Sequence, residues 1–204
     1  MKYSMIKNTL ILTCITLVSG LLLGLVYEIT KAPIAATKVT AKQEAYKEVF
    51  QEAESFTALE TFNEAEAETI LAEASLVSNT IQEVVVANNG TEDIGYVLTV
   101  VSHDGYAGDI TFTMGVTKEG MLNAISILTI NETAGLGMKA NEAEFKDQFA
   151  AKKAEMFAVT KVGAKEANEI NAISGATITS SAVTNGVNAG IAYVNSIIGG
   201  GTNE

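Results

Sequence analysis

The feature that most constrains this chain is an uncharged apolar stretch near its N-terminus. Residues 8–27 read "NTLILTCITLVSGLLLGLVY" and contain no charged side chain. An α-helix of about 20 residues extends about 30 Å, which is the thickness of the hydrocarbon core of a bilayer. The stretch therefore predicts a single-pass membrane anchor. Cleavage as a signal peptide at the small residues of "APIAATK" (32–38) is the alternative.

The orientation of this anchor does not follow from charge. Lys2 and Lys7 precede the apolar stretch, and Lys31, Lys38, Lys42 and Lys47 follow it. The positive-inside rule compares lysine and arginine on the two sides of a span, and here both sides carry them.

The chain as a whole is acidic and contains no arginine. Its formal net charge is −11, and all 13 basic residues are lysines. Binding to a nucleic-acid backbone needs clustered positive charge, so the composition argues against a nucleic-acid partner. Without a guanidinium group, a phosphate ligand must rely on lysine, on backbone amides or on a stronger link.

Several classes of catalytic site are excluded by the residues that are missing. The single cysteine, Cys14, lies in the apolar stretch, which excludes an intramolecular disulfide and a cysteine-based metal site. His103 is the single histidine, and we expect it to be a surface residue at the end of a strand. The sequence has no G-x-S-x-G, no P-loop and no G-x-G-x-x-G, so a hydrolase, a P-loop nucleotide site and a Rossmann site are all disfavoured.

Hydrophobic periodicity predicts an α+β fold. After Pro33, which we expect to mark the exit from the anchor, residues Ala45, Tyr46, Val49, Phe50 and Ala53 share one face of a helix. Four strand-like runs follow at 81–88, 94–102, 109–117 and 121–130, and their short turns predict an antiparallel meander. Helices are predicted over 142–157 and over 179–198. We divide the chain into a tip and anchor (1–30), an acidic helical connection (31–78) and one remaining domain (79–204).

Two loops carry residues suited to ligand chemistry. "NETAGLGMK" (131–139) places two glycines close together, where the backbone can approach a ligand, although ordinary turn geometry explains the same pattern. "SGATITSS" (174–181) precedes the last helix with five hydroxyl side chains. One hydroxyl suffices for an N-cap, so a Ser/Thr-rich turn or a phosphate site at the helix N-terminus both remain open.

Together, "SGAT", the upstream "ETAGLG" loop and the N-terminal anchor resemble a known family. It is the RnfG family, the FMN-binding subunit of the Rnf complex. That complex is an ion-translocating membrane assembly that transfers electrons between ferredoxin and NAD. A related subunit of the Na⁺-translocating NADH:quinone reductase, NqrC, shares the same domain. The resemblance covers essentially the whole chain and implies an FMN-binding domain behind a transmembrane helix.

The resemblance also implies the site residues. In that family the threonine ending "GAT" carries FMN through a phosphoester, so Thr177 is the implied attachment site. A separate flavin transferase is implied for attachment, and the loop is expected to pack on the flavin. The implied cofactor-binding residues are Thr177, Ser174, Gly175, Ala176, Glu132, Thr133, Gly135, Leu136 and Gly137. Thr179 adjoins the motif and starts the predicted helix, and Lys139 and Lys161 are added on position alone.

Two positions depart from the family pattern. The pattern D-x-x-[ST]-G-A-T begins here with Asn171, and the proline of "ETPGLG" is Ala134. The acceptor threonine and both loop glycines are kept.

The resulting expectation is an electron-carrying subunit with covalent FMN. It is anchored in the cell membrane by one helix, has its domain on the extracytoplasmic side, and works with the other subunits of an Rnf-type complex. Two alternatives remain at this point: a free-standing anchored flavoprotein for extracellular electron transfer, and a non-enzymatic surface module in which "SGATITSS" is only a cap.

Overall fold

A computed structural model describes residues 2–200 of the chain. The elements in chain order are α1 (Lys2–Val49), β1 (Ser55–Ala58), α2 (Glu64–Glu73), β2 (Asn79–Asn88), β3 (Asp93–Ser102), β4 (Ile110–Thr117), β5 (Leu122–Thr129), a 3-10 helix (Gly137–Asn141), α3 (Ala143–Lys146), a second 3-10 helix (Asp147–Phe149), β6 (Ala158–Thr160), β7 (Glu169–Asn171) and α4 (Thr177–Gly200). The contacts divide the chain into two units, 1–42 and 43–204. The predicted boundaries at residues 30 and 78 stay a prediction.

The first unit is one apolar helical segment. Within the described residues it supplies one helix that is long and apolar enough to cross a membrane. Its threonine hydroxyls donate to carbonyls one turn earlier, as from Thr9 to Met5 and from Thr13 to Thr9, both at 2.9 Å. Such bonds satisfy the hydroxyl groups within the helix itself. Pro33 lies inside α1, so the helix continues beyond the expected exit from the anchor.

The second unit is built on a five-stranded sheet. The strand order is β1-β2-β3-β4-β5, and every neighbouring pair is antiparallel. The four strands of the predicted meander are confirmed, and β1 is an added edge strand where sequence reasoning placed helix and loop. A separate pair, β6 and β7, is parallel. The α+β class is therefore confirmed.

Helices cover the sheet on both faces. The alternating side chains Ile110, Phe112, Met114 and Val116 of β4 are all buried, in one cluster with residues of α2 and α4. The opposite face packs against the end of α1, where Tyr46, Val49 and Phe50 form a second cluster with strand residues. The predicted apolar face of this helical segment is therefore confirmed, although α1 ends at Val49.

The helix predicted over 142–157 is mostly absent. Only α3 and the second 3-10 helix form in this segment. Ala151 then adopts a φ of 53°, which is incompatible with a right-handed helix and ends it. Lys152 then exchanges both backbone hydrogen bonds with Leu122 on β5, at 2.8 and 3.1 Å. Phe145 and Phe149, four residues apart in this segment, are both buried. Pairing with the sheet edge outweighs local helix propensity in this segment.

Helix α4 approaches the sheet closely at two glycines. A Cβ atom placed on Gly186 would stand 2.8 Å from the ring of Phe112, and one on Gly190 would meet Met114. Asn188, on the same helix, accepts from the Phe157 amide at 2.8 Å and donates to its carbonyl at 2.9 Å. The two glycines let the helix pack closely on the sheet, and the hydrogen bonds of Asn188 hold it there. The N-terminus of α4 therefore has a fixed position.

We expect Gly186→Ala to destabilise the protein by about 1–3 kcal/mol, since the added methyl overlaps a buried ring. In an exposed helix the same change would stabilise by about 1 kcal/mol. Urea denaturation of the detergent-solubilised protein, followed by circular dichroism, measures the difference. Asn185→Ala at the partly buried neighbour is the control and should be close to neutral. A Gly186→Ala protein more stable than wild type would contradict the close packing.

Candidate functional site

A pocket of about 590 Å³ lies where three segments of the second unit meet. The segments are the turn after β3, the loop after β5 and the start of α4. The residues that line the pocket are Tyr106, Glu132, Thr133, Leu136, Gly137, Gly175, Ala176, Thr177, Ile178 and Thr179. The structure thus brings together the two loops singled out from sequence, although about 40 residues separate them in the chain.

The loop after β5 folds around the carbonyl of Thr133. That oxygen accepts from the amide of Leu136 at 3.1 Å and from the amide of Met138 at 3.2 Å. Gly135 has a φ of 76°, a conformation that side chains other than glycine rarely adopt. The turn directs Leu136 into the pocket, where it is 42% exposed.

Gly137 is the point of closest approach between the two loops. A Cβ atom placed there would stand 2.7 Å from the Thr179 hydroxyl oxygen and 2.8 Å from Glu132 Oε2. Only glycine leaves room for this contact, so the second loop glycine has a packing role that joins the loop to α4.

The "SGAT" segment forms a tight turn that leads directly into α4. Gly175 has a φ of 77°, and the amide of Ala176 donates to the Ile173 carbonyl at 2.9 Å. Thr177 is the first residue of the helix and is partly buried in the pocket wall. The amides of a helix's first turn have no partner within the helix and carry partial positive charge. Thr177 therefore lies at an anion-favouring end of the helix.

The hydroxyls of this segment do not share one role. Ser180 is buried; its hydroxyl accepts from the Ile173 amide and donates to the Ala176 carbonyl, both at 2.9 Å. Thr179 is also buried, against Gly137, and Ser174 is exposed outside the pocket. The predicted start of the helix at Thr179 is wrong by two residues, because α4 already begins at Thr177.

Four other predicted contacts do not line the pocket. Gly135 faces open space, and Ser174 is exposed. Lys139 lies exposed on the first 3-10 helix, and Lys161 is exposed after β6. Contact of these four residues with a cofactor stays a prediction.

Sequence reasoning gave no role to Tyr106 or Ile178, which both line the pocket. Tyr106 is 69% exposed, on the turn that Gly105 and Gly108 bracket. The buried carboxylate of Glu132 fixes this turn, since its Oε1 accepts from the Ala107 amide at 3.3 Å. An exposed aromatic between two glycines was the signal that could have indicated Tyr106.

Strand β7 holds the approach to "SGAT" in place. Asn171 Oδ1 accepts from the Ala164 amide at 2.6 Å, and the backbone of Asn171 bonds to Gln148 in both directions. Amide hydrogen bonds from Lys165 and Glu166 hold the pKa of the Glu169 carboxyl below its usual range. An aspartate at 171 has the same acceptor oxygen, so the departure at this position keeps the local hydrogen bond.

Comparison with known proteins gives two family matches and several full-length relatives. Residues 105–192 match an FMN-binding domain, and residues 1–49 match the RnfG N-terminal region. The chain is 36% identical to the subunit named G of the Na(+)-translocating ferredoxin:NAD(+) oxidoreductase complex of Acetobacterium woodii, over 91% of this chain and 89% of that protein. It is 33% identical to the subunit of the same letter in the proton-translocating complex of Clostridium ljungdahlii, over 96% and 93%.

A similar solved structure is the subunit named C of the Na(+)-translocating NADH-quinone reductase from Parabacteroides distasonis. The identity is 21%, the TM-score is 0.49, and the match covers 71% of this chain and 79% of that one.

The resemblance inferred from "ETAGLG", "SGAT" and the apolar N-terminus is confirmed by the extent of the matches to the two relatives. Both relatives align over nearly their whole length. The chain belongs to the RnfG family, whose members are subunits of Rnf-type ion-translocating ferredoxin:NAD⁺ oxidoreductase complexes.

Proposed function

We propose that this protein is the membrane-anchored, FMN-carrying subunit of an Rnf-type complex and passes electrons between its other subunits. The observation that carries the proposal is the pocket in which the loop after β5 meets the start of α4, with Thr177 in its wall. The match to an FMN-binding domain and the names of the relatives support the same cofactor and the same kind of assembly.

The residues of the pocket fit a flavin phosphate. The helix N-terminus favours an anion, and the Thr177 hydroxyl oxygen lies at that end. The chain has no arginine to clamp a phosphate. We therefore propose that a phosphoester to Thr177, formed by a flavin transferase, retains FMN in the protein.

The remaining pocket residues suit the ring of the cofactor. Leu136, Ile178 and Tyr106 present exposed apolar surface around the pocket. Thr133 adds a hydroxyl, and Gly137 lets the loop backbone approach closely. When bound, FMN supplies the reversible electron-carrying chemistry, while these side chains hold the ring and exclude water from it.

We propose that residues 8–27 of α1 anchor the protein in the cell membrane, with the domain on the extracytoplasmic side. The length and composition of the helix support the anchor, and the resemblance to the family supports the side. A covalent bond to FMN suits this location, since cofactor lost outside the cell is not recovered.

The attachment site is tested by intact mass after co-expression with a flavin transferase. We expect the wild-type chain to gain the mass of one FMN group and Thr177→Ala to gain none, because alanine has no oxygen for the ester. Thr179→Ala is the matched control in the same turn and should keep the added mass. Loss of FMN from Thr179→Ala alone would show that the other threonine is the acceptor.

The aromatic contact is tested with non-covalent FMN and the Thr177→Ala protein. Adding Tyr106→Leu should weaken FMN binding about tenfold, which is about 1.4 kcal/mol for one lost aromatic contact. Tyr106→Phe keeps the ring and should bind as before. Equal dissociation constants for the leucine and tyrosine proteins, by fluorescence titration, would contradict a role for Tyr106.

The anchor is tested by charge placed at its centre. Leu17→Lys with Leu21→Lys should release the protein from membranes in alkaline carbonate, since each lysine costs about 2.5–3.5 kcal/mol at the middle of a span. Ile34→Lys with Val39→Lys, on α1 but outside the apolar stretch, should leave the protein in the membrane pellet. An unchanged distribution for the Leu17/Leu21 variant would contradict the proposed span.

A further inference from the structure

We propose that the carboxylate of Glu132 sets the reduction potential of the flavin by placing an unpaired negative charge in the pocket wall. The inference rests on the function proposed above. It concerns a residue that the family resemblance implies as a cofactor contact and that, in the structure, packs beside Gly137 and accepts one hydrogen bond.

The position of the carboxylate is fixed on both sides. Glu132 is 7% exposed and lines the pocket. Its Oε1 accepts from the Ala107 amide at 3.3 Å, and its Oε2 lies against Gly137, 2.8 Å from where a Cβ atom would stand. The carboxylate is therefore held between the Tyr106 turn and the loop after β5, and it does not extend into solvent.

The charge of this side chain has no cationic partner among residues 3–198, whose side chains the structure describes. Neither lysine nor histidine forms an ion pair with Glu132 in that part of the chain, and the sequence contains no arginine. Burying an unpaired carboxylate is unfavourable, and a glutamine oxygen would accept the Ala107 hydrogen bond equally well. The hydrogen bond therefore does not account for the choice of glutamate.

The start of α4 explains how the charge is tolerated. Thr179 lies in the first turn of the helix. Its hydroxyl oxygen and Glu132 Oε2 both lie within 2.8 Å of the point where a Cβ atom on Gly137 would stand, so the carboxylate is close to this turn. A carboxylate beside a helix N-terminus is stabilised by the partial positive charge there.

The consequence for electron transfer follows from charge balance. Reduction by two electrons and one proton from a chemical reductant gives the flavin one additional negative charge. A fixed carboxylate in the same pocket repels that charge, and because Glu132 is only 7% exposed, water screens the repulsion less than it would at the surface. Glu132 therefore favours the oxidised flavin and lowers its potential.

The experiment is a redox titration of the FMN-loaded, full-length protein, followed by flavin absorbance. Glu132→Gln has the same size and removes only the charge. At a fixed potential of the solution, we expect its ratio of reduced to oxidised flavin to rise about tenfold, which is about 30 mV for a two-electron couple. An unchanged ratio in a loaded Glu132→Gln protein overturns the proposal.

Two further variants separate charge from structure. Glu142→Gln removes a charge from an exposed position on the same connection and should leave the ratio unchanged. Glu132→Asp keeps the charge but withdraws the oxygen from Ala107; its melting temperature should fall while the flavin ratio stays near that of wild type. If the ratio of reduced to oxidised flavin rises in Glu132→Asp as much as is expected for Glu132→Gln, the proposal is overturned. The aspartate variant provides this test even if Glu132→Gln does not fold.

The outcome also distinguishes this inference from the proposed function. A wild-type chain that gains no FMN mass overturns both. A chain that is loaded with FMN but whose potential does not respond to Glu132→Gln overturns only the role of Glu132.

Discussion

The contact between Gly137 and the first turn of α4 is the constraint on which the site depends. It joins two segments that lie about 40 residues apart in the chain, and it leaves no room for a side chain on the loop. The same contact places Glu132 beside Thr179, and Glu132 in turn holds the Tyr106 turn through the Ala107 amide. One glycine therefore fixes all three walls of the pocket. A substitution there would separate the loop from the helix before it disturbed any single ligand contact.

The rest of the domain keeps that helix end in place. Close packing of Gly186 on Phe112 sets the distance of α4 from the sheet, and the two hydrogen bonds between Asn188 and Phe157, one donated by each residue, hold its position along the helix axis. Ser180 ties the first turn back to the Ile173 amide. Cores are packed closely enough that such positions are rigid, so the orientation of Thr177 is set by contacts far from any ligand.

The sequence predicted the sheet well because alternating apolar residues, as at Ile110, Phe112 and Met114, have a period that only a strand satisfies. It also identified both loops, since glycine pairs and clustered hydroxyls are local signals. It missed what depends on distant pairing: β1, and the segment near Lys152 that bonds to β5 instead of extending a helix. It gave no role to Tyr106, which lines the pocket, because proximity in the chain does not determine which side chains share a pocket.

The segment near Lys152 has a further consequence for how this domain can meet other polypeptides. By bonding to Leu122 it covers part of the outer edge of β5, and β1 at the opposite edge is only four residues long. The five-stranded sheet therefore offers a foreign strand only a short edge at β1, and the start of its other edge is already bonded to the chain itself. Both features reduce the backbone pairing between chains that leads to aggregation, and they favour assembly with neighbouring proteins through side-chain surfaces, which can be specific.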